Sequence, residues 1–141
     1  MAGNGMGLSS KHAAAILAVL AIIVAGYFGF RQLVKSPTQP SPDVGREVAE
    51  SFLASVRSGK AGEAWDAAST EFKSIEGRES FMRRAKSAAI LTGPLQFNST
   101  QQVLIHEEPR SEYLFQSPDA KVVRVLLGYE RGDWRVDRLS F

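Results

Sequence analysis

Between Ala13 and Phe30 the chain runs AAAILAVLAIIVAGYFGF, with no charge, no amide and no hydroxyl except the Tyr27 phenol. A chain carrying such a segment must give it an apolar solvent. About 18 helical residues rise about 27 Å, close to the hydrocarbon thickness of a bilayer. About nine of them are Leu, Ile, Val or Phe, worth about −3 to −5 kcal/mol of insertion free energy. A core helix this apolar would need a large globular domain around it, which 141 residues do not supply. The sequence therefore predicts a transmembrane helix over 13–30 and places the protein in the cell membrane as a single-pass chain.

A cleaved secretory signal is the rival reading, with Lys11 as its charged region, Ala13 to Ala25 as its apolar core and a cut near Val24-Ala25-Gly26. The apolar run, however, continues through Tyr27, Phe28 and Phe30 into Arg31 and Lys35. Aromatics followed by long cations form an interfacial belt with snorkelling side chains, and these five residues are the expected membrane-interface anchors. Acylation and prenylation are excluded because there is no cysteine, and residue 2 is alanine. Within the segment, Ala14, Ala18, Ala21, Ala25 and Gly29 recur at helical spacing as a candidate small-residue seam for helix–helix contact.

Around the anchor the chain divides simply. Residues 1–12 are Gly-rich and polar, a tail expected to be disordered. Residues 31–43 end in SPTQPSPD, whose prolines make a semi-extended spacer. Residues 44–141 are the expected folded domain. Of the 17 Lys and Arg, Lys11, Arg31 and Lys35 precede Arg46; of the 15 acids, only Asp43 does. Fourteen cations then face 14 acids, so the domain is neutral, which argues against nucleic acid as a partner. Arg31, Lys35 and Arg46 on the C-terminal side, set against Lys11 and the amino terminus on the other, lean the positive-inside rule toward a cytoplasmic domain, whereas the Pro/Ser spacer favours an extracytoplasmic one, the placement expected here.

Within the domain, Val48, Ala49, Phe52, Leu53 and Val56 form an apolar helical stripe that Gly59 stops. Ala61 to Ala68 reads as a second short helix and Gly77 to Ala89 as a third. Beyond Gly93-Pro94 the period shortens to two: Leu95 and Phe97, Val103 and Ile105, Tyr113 and Phe115, then Val122 to Tyr129 and Trp134 to Phe141. Turns are expected at Glu107-Glu108-Pro109-Arg110, Ser117-Pro118-Asp119-Ala120 and Arg131-Gly132-Asp133. Helices first and strands second gives α+β: three short helices on a curved antiparallel sheet of about four strands.

The stretch AESFLASVRSGKAGEAWDAASTEFKS and the closing GYERGDWRVDRLSF resemble the nuclear-transport-factor-2-like, or cystatin-like cone, superfamily. The likeness covers about Val44 to Phe141 and implies a helix ending in a Gly-Lys step, a Trp-bearing helix, and a Gly-x-Trp-x-Val strand closing the sheet. It implies a fold, and a function only by analogy. Members include membrane-anchored or secreted bacterial domains, assembly subunits of secretion systems, and enzymes of the ketosteroid-isomerase type.

Such enzymes need an acid and a hydrogen-bonding tyrosine converging inside the cone. Asp66 and Glu71 lie beside aromatic residues but read as a solvated side chain and a helix end, and nothing pairs Tyr113 with a carboxylate. No catalytic residues are assigned. His106-Glu107-Glu108 alternates across a strand with no second nearby histidine, so no metal ligands are assigned, and no cofactor is expected. Ser51 and Ser55 lack a histidine base. Arg83, Arg84 and Lys86 read as a solvated face, with Glu79 positioned to pair with Arg83. Asn98-Ser99-Thr100 fits a glycosylation acceptor. Trp65, Phe72, Phe81, Phe97 and Trp134 are the candidate lining of a ligand pocket, with simple core filling as the alternative. Val122 and Leu126 should look outward from the sheet as an apolar interface for a homodimer. The expected function is a membrane-tethered binding or assembly module, not an enzyme, whose partners are the lipid bilayer, a second copy or a membrane-bound protein. An isomerase- or hydratase-like enzyme using the cone interior is the alternative.

Overall fold

Proline at the first helical position starts the domain: Ser41 precedes helix α1 (Pro42–Arg57), where the missing N–H costs nothing and the fixed φ suits the helix. The computed structural model describes residues 39–141, which lie in the compact unit Pro37–Phe141. The tail, the transmembrane segment with its interface anchors Tyr27, Phe28, Phe30, Arg31 and Lys35, and the Ala14–Gly29 seam lie outside the described residues. Among the described residues, no helix is long and apolar enough to cross a membrane.

After α1 come α2 (Ala61–Ala67), α3 (Thr70–Ile75), α4 (Arg78–Ser87) and α5 (Ala89–Thr92), then β1 (Gln96–Ile105), β2 (Glu108–Gln116), β3 (Val122–Glu130) and β4 (Asp133–Ser140). The four strands form one antiparallel sheet in the order β1-β2-β3-β4. The fold is α+β as expected, but with five helices rather than three among the described residues. Both unforeseen helices are too short to show a periodic stripe. α3 is instead specified by a cap: the Ser69 hydroxyl accepts the Phe72 N–H at 3.1 Å.

The first hairpin also differs from expectation. Its turn is His106-Glu107, both with positive φ (50° and 66°), so Glu108, Pro109 and Arg110 belong to β2. Pro109 pairs with Leu104, while β3 joins β2 only from Glu112 onward. The missing proline N–H therefore faces no ladder partner on that side.

α1 packs across β2, β3 and β4 and α3 packs against β4, with the remaining helices packed on them around one shared core. Ala49, Phe52, Leu53 and Val56 of α1 pack with Ala64, Phe72, Phe81 and Leu91 of the other helices. From the sheet come Tyr113, Phe115, Val123, Val125, Leu127, Val136 and Leu139. Their alternation follows the two-residue period of the strands. At the centre, Phe52, Phe72 and Phe81 pack at centroid distances of 5.7, 6.1 and 5.2 Å, two of the three contacts edge-to-face. Gly45 belongs to the same buried stripe of α1, and a side chain there would overlap the Tyr113 hydroxyl. Glycine at that point lets the helix approach β2.

The register slips between Leu126 and Leu127, where Leu126 pairs with Arg138 but Leu127 with Val136. Asp137 is the extra residue of this β-bulge. The slip keeps Val136 and Leu139 on the helix side although three positions separate them.

Candidate functional site

Two features stand out beside the core: a cleft on the helix side of β4, and a charged cluster on the sheet's other face. The cleft, about 460 Å³, lies between α1, α2 and β4. Val48, Phe52, Ala64, Trp134 and Val136 give it an apolar lining, while Glu47, Ser51, Ser55, Glu63 and Arg135 supply polar groups. A second cleft shares Val48, Ala67, Trp134 and Arg135 with it and extends toward the exposed Val44 and the β3–β4 turn. Arg135 reaches the Ala67 carbonyl at 3.3 Å and Asp133 at 3.9 Å, and its Nε is buried without a partner among the described residues.

The five aromatics expected to share a pocket do not do so. Phe72 and Phe81 close the core with Phe52. Trp65 donates its Nε1–H to the Glu76 carbonyl at 2.8 Å, and the Lys73 ammonium lies 5.3 Å from its ring. Phe97 packs on Phe115 with the Arg46 guanidinium 4.5 Å from its centroid. Trp134 packs tilted against Tyr129 at 5.1 Å and is the one member of the five that lines the cleft between α1, α2 and β4. The aromatics sit on different elements, and each found an aromatic, a cation or a carbonyl nearby.

On the other face, strand alternation places Arg110, Glu112 and Leu114 of β2 beside Arg124, Leu126 and Gly128 of β3. The Arg110 guanidinium crosses β3 to the Asp137 carboxylate and meets Glu71 of α3 at 3.1 Å; Arg138 approaches Glu71 at 3.8 Å. Gly128 makes this crossing feasible, because any Cβ there would overlap the Asp137 carboxylate. Asp137 is only 3% exposed. Burial raises its pKa and the neighbouring Glu71 charge adds to that, while the Ser69 hydroxyl and Arg110 hold it down.

Leu126 does not present the open apolar surface expected of it. Val122 and Leu126 do lie on the sheet side away from the core, Val122 paired with Gln116 and Leu126 with Glu112 and Arg138. Yet Leu126 is 3% exposed and belongs to no part of the main core cluster. Arg138 is its cross-strand partner, and Arg110 passes over β3 nearby on the same face. No open apolar patch centred on Leu126 exists.

Other candidates settle into structural roles. Asp66 pairs with Arg78 at 3.3 Å on the surface. Tyr113 is buried against α1, and its hydroxyl is pushed to a higher pKa by that burial. Arg84 pairs with Glu76 at 2.6 Å and lies against Phe81 and Phe141, in place of the expected Glu79–Arg83 bridge. Glu130 carries no signal in the sequence that marks it out. It accepts the Thr70 N–H at 2.6 Å and its hydroxyl at 2.7 Å, which lowers its pKa and ties β3 to the start of α3. His106 and Glu107 form the hairpin turn. Among the described residues, no group of three or more His, Cys, Asp or Glu is placed to hold a metal.

Asp137 had a legible signal. Its inward neighbours Val136 and Leu139 are three residues apart in a strand where two is the rule, and Gly128 interrupts the facing strand. Those marks indicate a bulge and a close approach. They do not say what fills it. Among known proteins, no family model matches the chain and no curated protein does.

Proposed function

We propose that this protein is a single-pass, membrane-anchored binding or assembly module, carrying a cystatin-like cone domain on the extracytoplasmic side. Tethering raises the domain's effective concentration for partners held at the same bilayer. The apolar run Ala13–Phe30 supports the anchor. Helices packed on one face of a four-stranded meander are compatible with the cone superfamily the sequence resembles.

The observation that carries binding over catalysis is the separation of the buried acid from the clefts. An isomerase-like enzyme would place a carboxylate of raised pKa in a cavity beside its substrate. Asp137 lies instead on the far face of the sheet, ion-paired to Arg110, and lines neither cleft at β4. The cone interior that such an enzyme would use is filled by Phe52, Phe72 and Phe81. What remains accessible is an apolar groove with a polar rim, suited to holding a partner segment over Trp134 and Val48.

A photoreactive residue substituted at Ser55, in the full chain in cells, tests this. A discrete adduct absent when the same residue replaces Glu79 on α4 supports a partner in the groove. Equal labelling at the two positions refutes it. In the same cells, labelling of Arg131→Cys in the exposed β3–β4 turn by a membrane-impermeant reagent before lysis is expected. Protection until lysis would move the domain to the cytoplasmic side.

A further inference from the structure

One edge of the sheet is open. β4's outer edge is partly occupied, since the Ser69 N–H donates to the Val136 carbonyl at 3.0 Å. β1, at the other edge, pairs with β2 alone among the described residues. It is the longest strand, 10 residues, and its sequence QFNSTQQVLI contains no charge and no proline. β2, β3 and β4 each carry at least two charges. Free edges are ordinarily protected from other chains by charge, proline or shortness. Here the one strand lacking charge and proline is the exposed one, its single irregularity being the bulge at Asn98 near one end. Beyond the bulge, Leu104 stands 74% exposed.

We propose that β1 pairs antiparallel with β1 of a second copy, joining two four-stranded sheets into one across a two-fold axis. A row of unpaired N–H and C=O groups is complementary to another extended strand and to little else. What selects this chain as its own partner is the absence of charge. A two-fold axis sets the central residue against itself and its neighbours against one another, so any charge there would repel its copy. The centre of β1, Ser99-Thr100-Gln101-Gln102, offers only hydroxyls and amides, which donate and accept alike.

Geometry narrows the register. Directly opposed residues share a face of the sheet, and from Ser99 to Ile105 the faces alternate strictly. The axis must then pass through a residue rather than between two. With the axis on Gln101, Thr100 of one copy faces Gln102 of the other. With the axis on Gln102, Thr100 faces Leu104, which covers that exposed leucine. This pairing uses the strand edge and is independent of both the groove at Trp134 and the covered Leu126.

The residue on the axis lies about 4.5–5.5 Å from its copy between Cα atoms, within disulfide reach. The chain has no cysteine to interfere. Full-length Gln101→Cys, Gln102→Cys and, for comparison, the exposed α2 variant Glu63→Cys are to be oxidised mildly in the cell fraction that contains them and run on non-reducing gels. A reducible dimer is expected from Gln101→Cys or Gln102→Cys at about tenfold or more the yield from Glu63→Cys. In a cysteine-free chain held in mild detergent, Gln101→Lys should weaken the dimer about tenfold in sedimentation, with unchanged circular dichroism. No dimer from either β1 variant, or equal yields from all three, overturns the proposal. So does a dimer that persists undiminished in Gln101→Lys, which would place association in another segment of the chain.

Discussion

Gly128→Ala isolates the energetics of the charged cluster in a single methyl group. A Cβ at position 128 would overlap the Asp137 carboxylate, which must then leave its place against Arg110. Breaking a buried ion pair costs about 3–5 kcal/mol. Two features reduce that here: Arg110 keeps Glu71 at 3.1 Å, and its own side chain is 23% exposed. Replacing a strand glycine returns about 0.5–1 kcal/mol of chain entropy. The net loss should be about 2 kcal/mol, or about 10 °C in Tm for a domain of this size. Urea unfolding of the full chain, followed by circular dichroism, measures it. The decisive comparison is a double-mutant cycle. In an Asp137→Ala background nothing remains to collide, so Gly128→Ala should stabilise by about 0.5–1 kcal/mol, giving a coupling of about 2.5–3 kcal/mol. Equal costs in both backgrounds would refute the assigned packing.

Asp137 also sets a pH dependence. Its folded pKa is raised, so the folded chain holds this proton to a higher pH than the unfolded chain, where an aspartate titrates near about 3.9. This group's contribution therefore falls as pH rises from about 4 through the folded pKa, and Asp137→Asn should flatten that part of the stability profile. An unchanged slope would assign it to other groups. Leu126→Arg should lower stability by several kcal/mol rather than act as a clean interface change, because a 3% exposed leucine offers no room or solvent for a guanidinium. A variant as stable as the parent would reopen the sheet face as an interface. At the β1–β2 turn, His106→Asn with Glu107→Gly should stabilise the chain by about 1–2 kcal/mol in the same unfolding assay, since both residues occupy the left-handed region. A loss of stability would show that the native side chains hold the turn by contacts outweighing this strain.

Features dictated by local chemistry are legible along the chain. The stripe from Val48 to Val56, the stop at Gly59 and the change of period after Pro94 specify helices followed by strands, and the structure has both in that order. The apolar run at 13–30 sets the expectation of a membrane without reference to any fold. Short elements escaped because they have no period: α3 exists through one serine cap and one carboxylate from β3, Glu130, 60 residues away. Only tertiary structure decided which side chains meet. Five aromatics that composition groups as a pocket were distributed among neighbours on different elements. Leu126, outward by alternation, is nevertheless 3% exposed, on a face where Arg110 and Arg138 reach toward Asp137 and Glu71. The passage of Arg110 to Asp137 depends on the bulge at Asp137 and the absent side chain at Gly128. Alternation reports the face a residue takes; whether that face is open depends on long side chains arriving from strands and helices distant in sequence.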